Sequence, residues 1–293
     1  MFAGTHTALV TPFRNGSLDE RAFKKLIDAQ FAAGITGIVP CGTTGESPTL
    51  DYEEHERVIK LAVEYGAGRG LVIAGTGSNS TREAVELTEE AEANGATAAL
   101  LVAPYYNKPT QEGLFQHYRS ISQSTTLPLM LYSIPGRCGI EIGVDTLVRL
   151  AEACPNIRAI KEAGGTPERV SQIRQELPPE FEILSGDDSL TLPFMSVGAV
   201  GVVSVASNLI PGPISELVKL AASGDFAGAL AIHQRYYPLF SAFLKLATNP
   251  IPIKTAMGLA GHIDPQLRLP LVAMEPAATE LLKATMKELG LID

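Results

Sequence analysis

The segment Ile157-Arg158-Ala159-Ile160-Lys161-Glu162-Ala163 has the makeup of a buried strand, yet a lysine stands near its end. Lysine is rarely buried without a partner or a purpose. Either the strand stops there and the ammonium reaches water beside a carboxylate, or Lys161 is an amine kept at the rim of a core for its chemistry. A free lysine titrates near ~10.4 and is protonated at neutral pH, so it becomes a nucleophile only where partial desolvation lowers that value. The electrophile suited to such an amine is a ketone or aldehyde, and the product is a Schiff base. Glu162 faces the other side of the strand by alternation and is not its obvious partner.

Four further groups follow apolar runs in the same way. Tyr132 lies near the end of "PLMLYSIP" (128–135), and a phenol near a carbinolamine can pass protons to and from it, although packing in a core is the commoner reason for a lone aromatic. Thr43 and Thr44 in "CGTTGES" (41–47) offer hydroxyls and N–H groups to a carboxylate, or serve only the turn between Gly42 and Gly45. Arg137, after Pro135-Gly136, can clamp a carboxylate bidentately or form a surface salt bridge. Asp187 and Asp188 in "SGDD" read as caps of the following helix rather than as metal ligands.

These residues belong to a repeated pattern. Short apolar runs at 6–13, 37–42, 71–77, 99–104, 128–135, 157–163, 181–187 and 201–207 alternate with amphipathic segments such as 19–34, 81–95 and 143–155. Asp19, Thr81 and Asp145 fit as caps or first-turn residues, and Gly34 and Gly95 as helix stops. Strands of little polar alternation, each followed by a helix, indicate a parallel sheet covered on the outside. Eight such units in about 225 residues predict a (β/α)8 TIM barrel, with a doubly wound open sheet as the alternative. A dinucleotide site has weak support, because "GTGSNS" (75–80) lacks the full glycine spacing. In a barrel the active site forms at the C-terminal ends of the strands, so Lys161, Tyr132, the threonines and Arg137 would converge on one opening. Beyond about residue 224 the strands stop. The expected division is a catalytic barrel over 1–224 and a C-terminal helical domain over 225–293, with helices at 225–247 and 275–290 and a third within 248–261.

Composition narrows the class. The 293 residues are 45% hydrophobic, ample for a large core. The net charge of -9 argues against a nucleic-acid or anionic-membrane partner. Cys41, Cys138 and Cys154 lie far apart and suggest free thiols in a reducing compartment. His6, His55, His117, His233 and His262 show no metal-ligand spacing, which also leaves a metal-dependent barrel aldolase without its ligands. The N-terminus lacks a basic-then-apolar leader and no run reaches membrane-span length, so a cytoplasmic location is expected.

The segments "GTTGES" (42–47), "PYYNKPTQEG" (104–113), "YSIPGRCG" (132–139), "IKEA" (160–163) and "LSGDD" (184–188) appear in order over the whole chain. In this the sequence closely resembles the dihydrodipicolinate synthase family, pyruvate-dependent aldolases of class I. The arrangement Tyr-x-x-Pro-x-Arg with "IKEA" downstream is specific, whereas "GTTGE" alone marks only the superfamily.

The resemblance implies the rest. Lys161 would form the Schiff base with pyruvate, Tyr132 would donate and accept the proton, and Thr43, Tyr132 and Tyr106 would form a relay, with Tyr106 supplied by a neighbouring subunit. Thr44, Gly186 and the backbone around Val203 would hold pyruvate, and Arg137 would receive the carboxylate of aspartate semialdehyde. It further implies a homotetramer built as a dimer of dimers and no metal or nucleotide cofactor. L-lysine would act as a feedback effector in a cleft lined by Ser47, Pro48, Leu50, His55, Asn79, Glu83 and Tyr105. Ser133, Cys138, Val203 and Tyr52 depart from the residues usual in that family, without removing a group the chemistry needs. The alternatives are an N-acetylneuraminate lyase or 2-keto-3-deoxy sugar-acid aldolase, which generally lack an arginine placed as Arg137 is, and a catalytically silent paralogue that binds keto acids.

Overall fold

Eight parallel strands close on themselves in the computed structural model, which describes residues 1–293. They are β1 (Gly4–Ala8), β2 (Gly37–Val39), β3 (Leu71–Gly75), β4 (Ala98–Val102), β5 (Leu129–Ser133), β6 (Ile157–Glu162), β7 (Glu182–Ser185) and β8 (Gly201–Ser204). Each pairs with its neighbour in the chain, and β1 pairs with β8 through Gly4↔Gly201 and His6↔Val203 to shut the ring. The open-sheet alternative is thereby excluded.

The residues dictate why a closed, covered sheet forms. Alternate positions feed two separate apolar cores. Ala8, Val39, Ile73, Met130, Ala159 and Leu184 fill the barrel interior. Ile38, Val72, Leu131, Ile160 and Ile183, one residue away, pack outward against the helices. With both faces apolar, such strands lack the polar alternation of a half-solvated sheet.

Every strand leaves the ladder before its apolar run ends. The run 37–42 contributes only Gly37–Val39, because Pro40 offers no N–H and Cys41 turns into the left-handed region at φ 55°. The run 201–207 stops at Ser204 and coils into a single turn over Ala206–Asn208. The shed C-terminal ends become the rim.

The covering helices are α1 (Glu20–Ala32), α2 (Tyr52–Gly66), α3 (Thr81–Ala93), α4 (Gln111–Ser124), α5 (Val144–Ala153), α6 (Pro167–Glu176), α7 (Thr191–Met195) and α8 (Pro211–Ala222). Asp19 caps α1 by accepting from the Ala22 N–H, and Gly34 and Gly95 follow α1 and α3 at positive φ. Thr81 is not the cap of α3. Ser80 is, and the Thr81 hydroxyl instead meets the His117 ring at 2.9 Å.

Three helices follow the barrel: α9 (Phe226–Lys245), α10 (Ile251–Leu259) and α11 (Pro276–Glu288). Leu239, Phe240, Ile253 and Met286 belong to the same apolar cluster as the outer barrel residues. The core therefore runs on from barrel to helices without a break.

Candidate active site

Strand β6 carries Lys161 into the barrel mouth, where it is 5% exposed. Its register partner on β5 is Tyr132, and the Lys161 Nζ lies 4.1 Å from the centroid of that ring. Burial lowers the Lys161 pKa to about 7, against an opposing pull from the Asp188 carboxylate and with a push from the Arg137 charge. A substantial fraction of the amine is thus uncharged at neutral pH. The turn after β7 passes so close that a Cβ at Gly186 would meet the Ala163 Cβ at 2.8 Å and the Lys161 Cε at 3.2 Å. Glycine there leaves the lysine its channel.

Glu162 points away from the amine, as alternation requires. Its carboxylate accepts from the Gly164 N–H at 2.6 Å and pairs with the Arg169 guanidinium at 3.3 Å, buried among the helices. The strand-end explanation of Lys161, an ammonium in water beside a carboxylate, does not describe this amine.

Tyr132 is also buried, and burial pushes its phenol up to about 12, with Arg137 and a hydrogen bond from the Thr43 side pulling the other way. Thr43 and Thr44 sit in the loop that β2 sheds. The Thr44 hydroxyl accepts from the Asn249 side chain at 3.0 Å, and Arg137 donates to the Asn249 carbonyl at 2.9 Å. One residue of the C-terminal segment therefore touches both the threonine turn and the rim arginine.

The two aspartates divide. Asp187 caps the short turn over Asp188–Leu190, accepting from the Ser189 N–H at 3.0 Å. Asp188 does not cap the helix that follows it, contrary to the sequence expectation. It reaches across to the turn after β8, accepting from the Ser204 hydroxyl, the Val205 N–H at 3.0 Å and the Ala206 N–H at 2.9 Å. Burial raises its pKa to about 6, and those donors hold it from rising further.

These groups line a cavity of ≈ 260 Å³ that includes Lys161, Tyr132, Thr43, Thr44, Arg137 and Gly186. Phe240, Phe243 and Leu244 of α9 form its outer wall. Val205, in the turn after β8, lines it, whereas the Val203 side chain lies in the barrel interior. Tyr106 is elsewhere. It is 90% exposed on the loop after β4, at φ 74°, and does not line the cavity.

A second cavity of ≈ 290 Å³ lies between α2 and α3 and is lined by Ser47, Pro48, Leu50, His55, Glu83 and Tyr105. Asn79 is not in its wall but donates to the Tyr105 carbonyl at 3.1 Å. The Ser78 and Tyr52 hydroxyls bind Glu83 and keep its carboxyl below the usual range. His55 is oriented by the Gly75 carbonyl at 2.9 Å, which leaves its Nδ1 unpartnered. A pocket of ≈ 240 Å³ joins the two, sharing Ser47, Pro48 and Tyr105 with one and Thr43, Tyr132 and Arg137 with the other.

Sequence reasoning gave no role to Asn249 or to the α9 aromatics. The only local signal for Asn249 was its place before the Pro-x-Pro of "NPIPIK". No group of His, Cys, Asp and Glu is arranged to hold a metal ion, and no helix is long and apolar enough to cross a membrane.

A barrel whose rim offers a partly uncharged amine beside a phenol is equipped for imine chemistry. The sequence model of the dihydrodipicolinate synthetase family matches residues 1–289, and the chain belongs to that family. A curated relative from Persephonella marina, named 4-hydroxy-tetrahydrodipicolinate synthase, is 50% identical over 293 residues, covering 100% of both chains. The solved 4-hydroxy-tetrahydrodipicolinate synthase of Methylacidiphilum fumariolicum SolV superposes with a TM-score of 0.98 at 54% identity, covering 99% of this chain and 96% of that one. The dihydrodipicolinate synthase of Cyanidioschyzon merolae, solved with lysine bound, superposes at 0.95 with 42% identity and 99% of each chain covered.

Proposed function

We propose that this protein is a lyase that condenses pyruvate with L-aspartate 4-semialdehyde to give 4-hydroxy-tetrahydrodipicolinate, the first committed step toward diaminopimelate and lysine. The observation that carries the proposal is Lys161, an amine 5% exposed with its pKa lowered to about 7, facing the Tyr132 ring at 4.1 Å. The unprotonated Nζ attacks the keto carbon of pyruvate. The carbinolamine then loses water, and Tyr132, bonded toward Thr43, supplies the proton that the leaving hydroxide needs. The resulting iminium is the electron sink for loss of a methyl proton, so the sequence of steps calls for no metal or nucleotide. The enamine carbon then attacks the aldehyde of the second substrate, and that substrate's own amine displaces the Lys161 Nζ from the imine carbon, closing the ring and freeing the lysine.

Binding follows from charge and shape. Thr44, anchored by Asn249, and the N–H groups of the Thr43–Thr44 turn suit the pyruvate carboxylate, and Gly186 gives the imine its space. Arg137 lies exposed at the mouth with one nitrogen held by Asn249, ready for the carboxylate of the semialdehyde. Tyr106 stands out on its loop, which supports insertion into a neighbouring subunit and an assembly of dimers into a homotetramer. The helices of residues 225–293 act as an appendage whose α9 covers the mouth. The free thiols of Cys41, Cys138 and Cys154 support a reducing compartment, the cytoplasm, for the reaction.

The test is a coupled assay with pyruvate and aspartate semialdehyde, run beside N-acetylneuraminate and 2-keto-3-deoxygluconate. Turnover of a sugar acid in preference to the semialdehyde would reassign the activity. Within that assay, Arg137→Ala should still form the pyruvate imine but lose about 1.5–3 kcal/mol of semialdehyde recognition, one to two decades in kcat/KM. Semialdehyde kinetics unchanged by this substitution would remove Arg137 from the clamp role.

The cavity between α2 and α3 supports L-lysine as a feedback effector. Glu83 is an ionised carboxylate for its ammonium, His55 Nδ1 is unpartnered, and Tyr105 walls both this cavity and the connecting pocket. Partial inhibition is expected, within the usual coupling range of about 5–150-fold, and Glu83→Ala should abolish it. A flat response to millimolar L-lysine at fixed pyruvate would sink the effector site.

A further inference from the structure

The turn Gly42–Gly45 that carries Thr43 and Thr44 is flanked by two residues in the left-handed region, Cys41 and Glu46, both at φ 55°. Neither is glycine, so neither sits there without cost, and such conformations persist only where their surroundings hold them. Cys41 is buried, and its thiol reaches the His55 carbonyl of α2 at 3.7 Å. Glu46 is held from the opposite end of the chain. Its side chain and that of Lys254, the fourth residue of α10, are both 0% exposed and meet at 2.6 Å. The same ammonium donates to the Thr11 carbonyl at 2.9 Å and lies 4.4 Å from the Phe13 ring centroid. The second carboxylate oxygen of Glu46 accepts from the Arg268 N–H at 3.1 Å.

A buried pair of this kind adds little to stability, since apolar residues of the same volume often serve as well or better. What it supplies is direction. Every hydrogen-bonding atom of Glu46 and Lys254 is committed, and together with the Asn249 bond to Thr44 they fasten the turn at two points to residues 249–268.

Resting on the pyruvate chemistry proposed for this site, we infer that the Glu46–Lys254 pair is a positioning device: it holds the Thr43–Thr44 turn against Lys161 and so sets the rate of pyruvate capture. Neither residue lines the cavity, so both act through the turn. Ser47 and Pro48 follow Glu46 directly and line the connecting pocket, which makes the pair a fixed point between the two cavities.

Glu46→Gln is the test, because it keeps size and shape. The Thr11 carbonyl and the Phe13 ring remain to hold the Lys254 ammonium, so the variant should fold. The amide nitrogen then faces either the Arg268 N–H or the Lys254 ammonium, donor against donor, and one tie is lost. Misplacing a reacting group by an ångström costs on the order of 10²-fold. Borohydride trapping of pyruvate should therefore slow by about 10- to 100-fold, with KM for pyruvate raised and KM for the semialdehyde within about twofold of the parent. Amide hydrogen exchange over residues 42–50 should accelerate while the other barrel segments keep their protection. A lowered melting temperature with unchanged trapping per folded molecule would mark the pair as merely structural and overturn the inference. Unchanged exchange over 42–50 would overturn it too, and that readout needs no activity. Should the parent itself trap no pyruvate, the reaction assigned to Lys161 fails, while the exchange comparison still decides the role of the pair.

Discussion

Lys161→Arg is expected to leave a folded protein with essentially no turnover, a loss on the order of 10⁴-fold or more. Arginine keeps the positive charge but has no accessible neutral form. The loss would thus isolate the need for a free amine from the need for a cation. In the parent, borohydride added with pyruvate should fix the adduct's mass on Lys161. A mass on another residue, or an active arginine variant, would end the imine mechanism. The sign of the pH dependence follows from burial. The amine's pKa is lowered to about 7, so imine formation should rise as pH increases through that value, where an unperturbed lysine would begin to respond only near ~10. Above it the rate should level off.

Tyr132→Phe removes one oxygen from the cavity and is expected to lower kcat by about 10²–10⁴-fold, the usual worth of a positioned proton donor. The phenol's pKa, raised to about 12, means that it stays protonated throughout the working range. It can hand a proton to the departing hydroxide only if another is returned in concert, and its hydrogen bond toward Thr43 is the route available within one chain. Thr43→Val should therefore slow the same step, and combining the two should cost far less than the sum of their separate effects. The pH profile of the parent should carry no break from the tyrosine below about pH 10. A phenylalanine variant within a few fold of the parent would assign Tyr132 to packing, the role that its place among the interior apolar residues could also suggest.

The barrel was legible because parallel strands buried on both faces must be apolar throughout, and that leaves a composition no surface strand shares. The strand ends were not. Val39-Pro40-Cys41 and Val203-Ser204-Val205 continue in apolar or small residues past the last ladder bond, since a rim loop packed against the surrounding helices needs the same side chains as a strand. Lys161 and Tyr132 could be placed together because consecutive strands neighbour one another. Asn249 and Lys254 could not, because they meet Thr44 and Glu46 across 205 and 208 residues of chain, and no periodicity reports contacts of that range. Asp188 was misplaced for a related reason. A cap motif is a local pattern, and this carboxylate spends its bonds on the next strand instead.

The wall that α9 lends to the cavity separates two things that most enzymes must alter together. Phe243 and Leu244 face the chamber from a helix that bears none of the reacting groups, and Leu244 is 56% exposed, so it can change without disturbing a core. Gly186, by contrast, admits no side chain at all beside the lysine. A lineage, or a designer, seeking a different aldehyde acceptor therefore has free choices on the helix and almost none on the strands. New specificities in this scaffold should accumulate as substitutions along one face of α9, while the amine and its neighbours stay as they are.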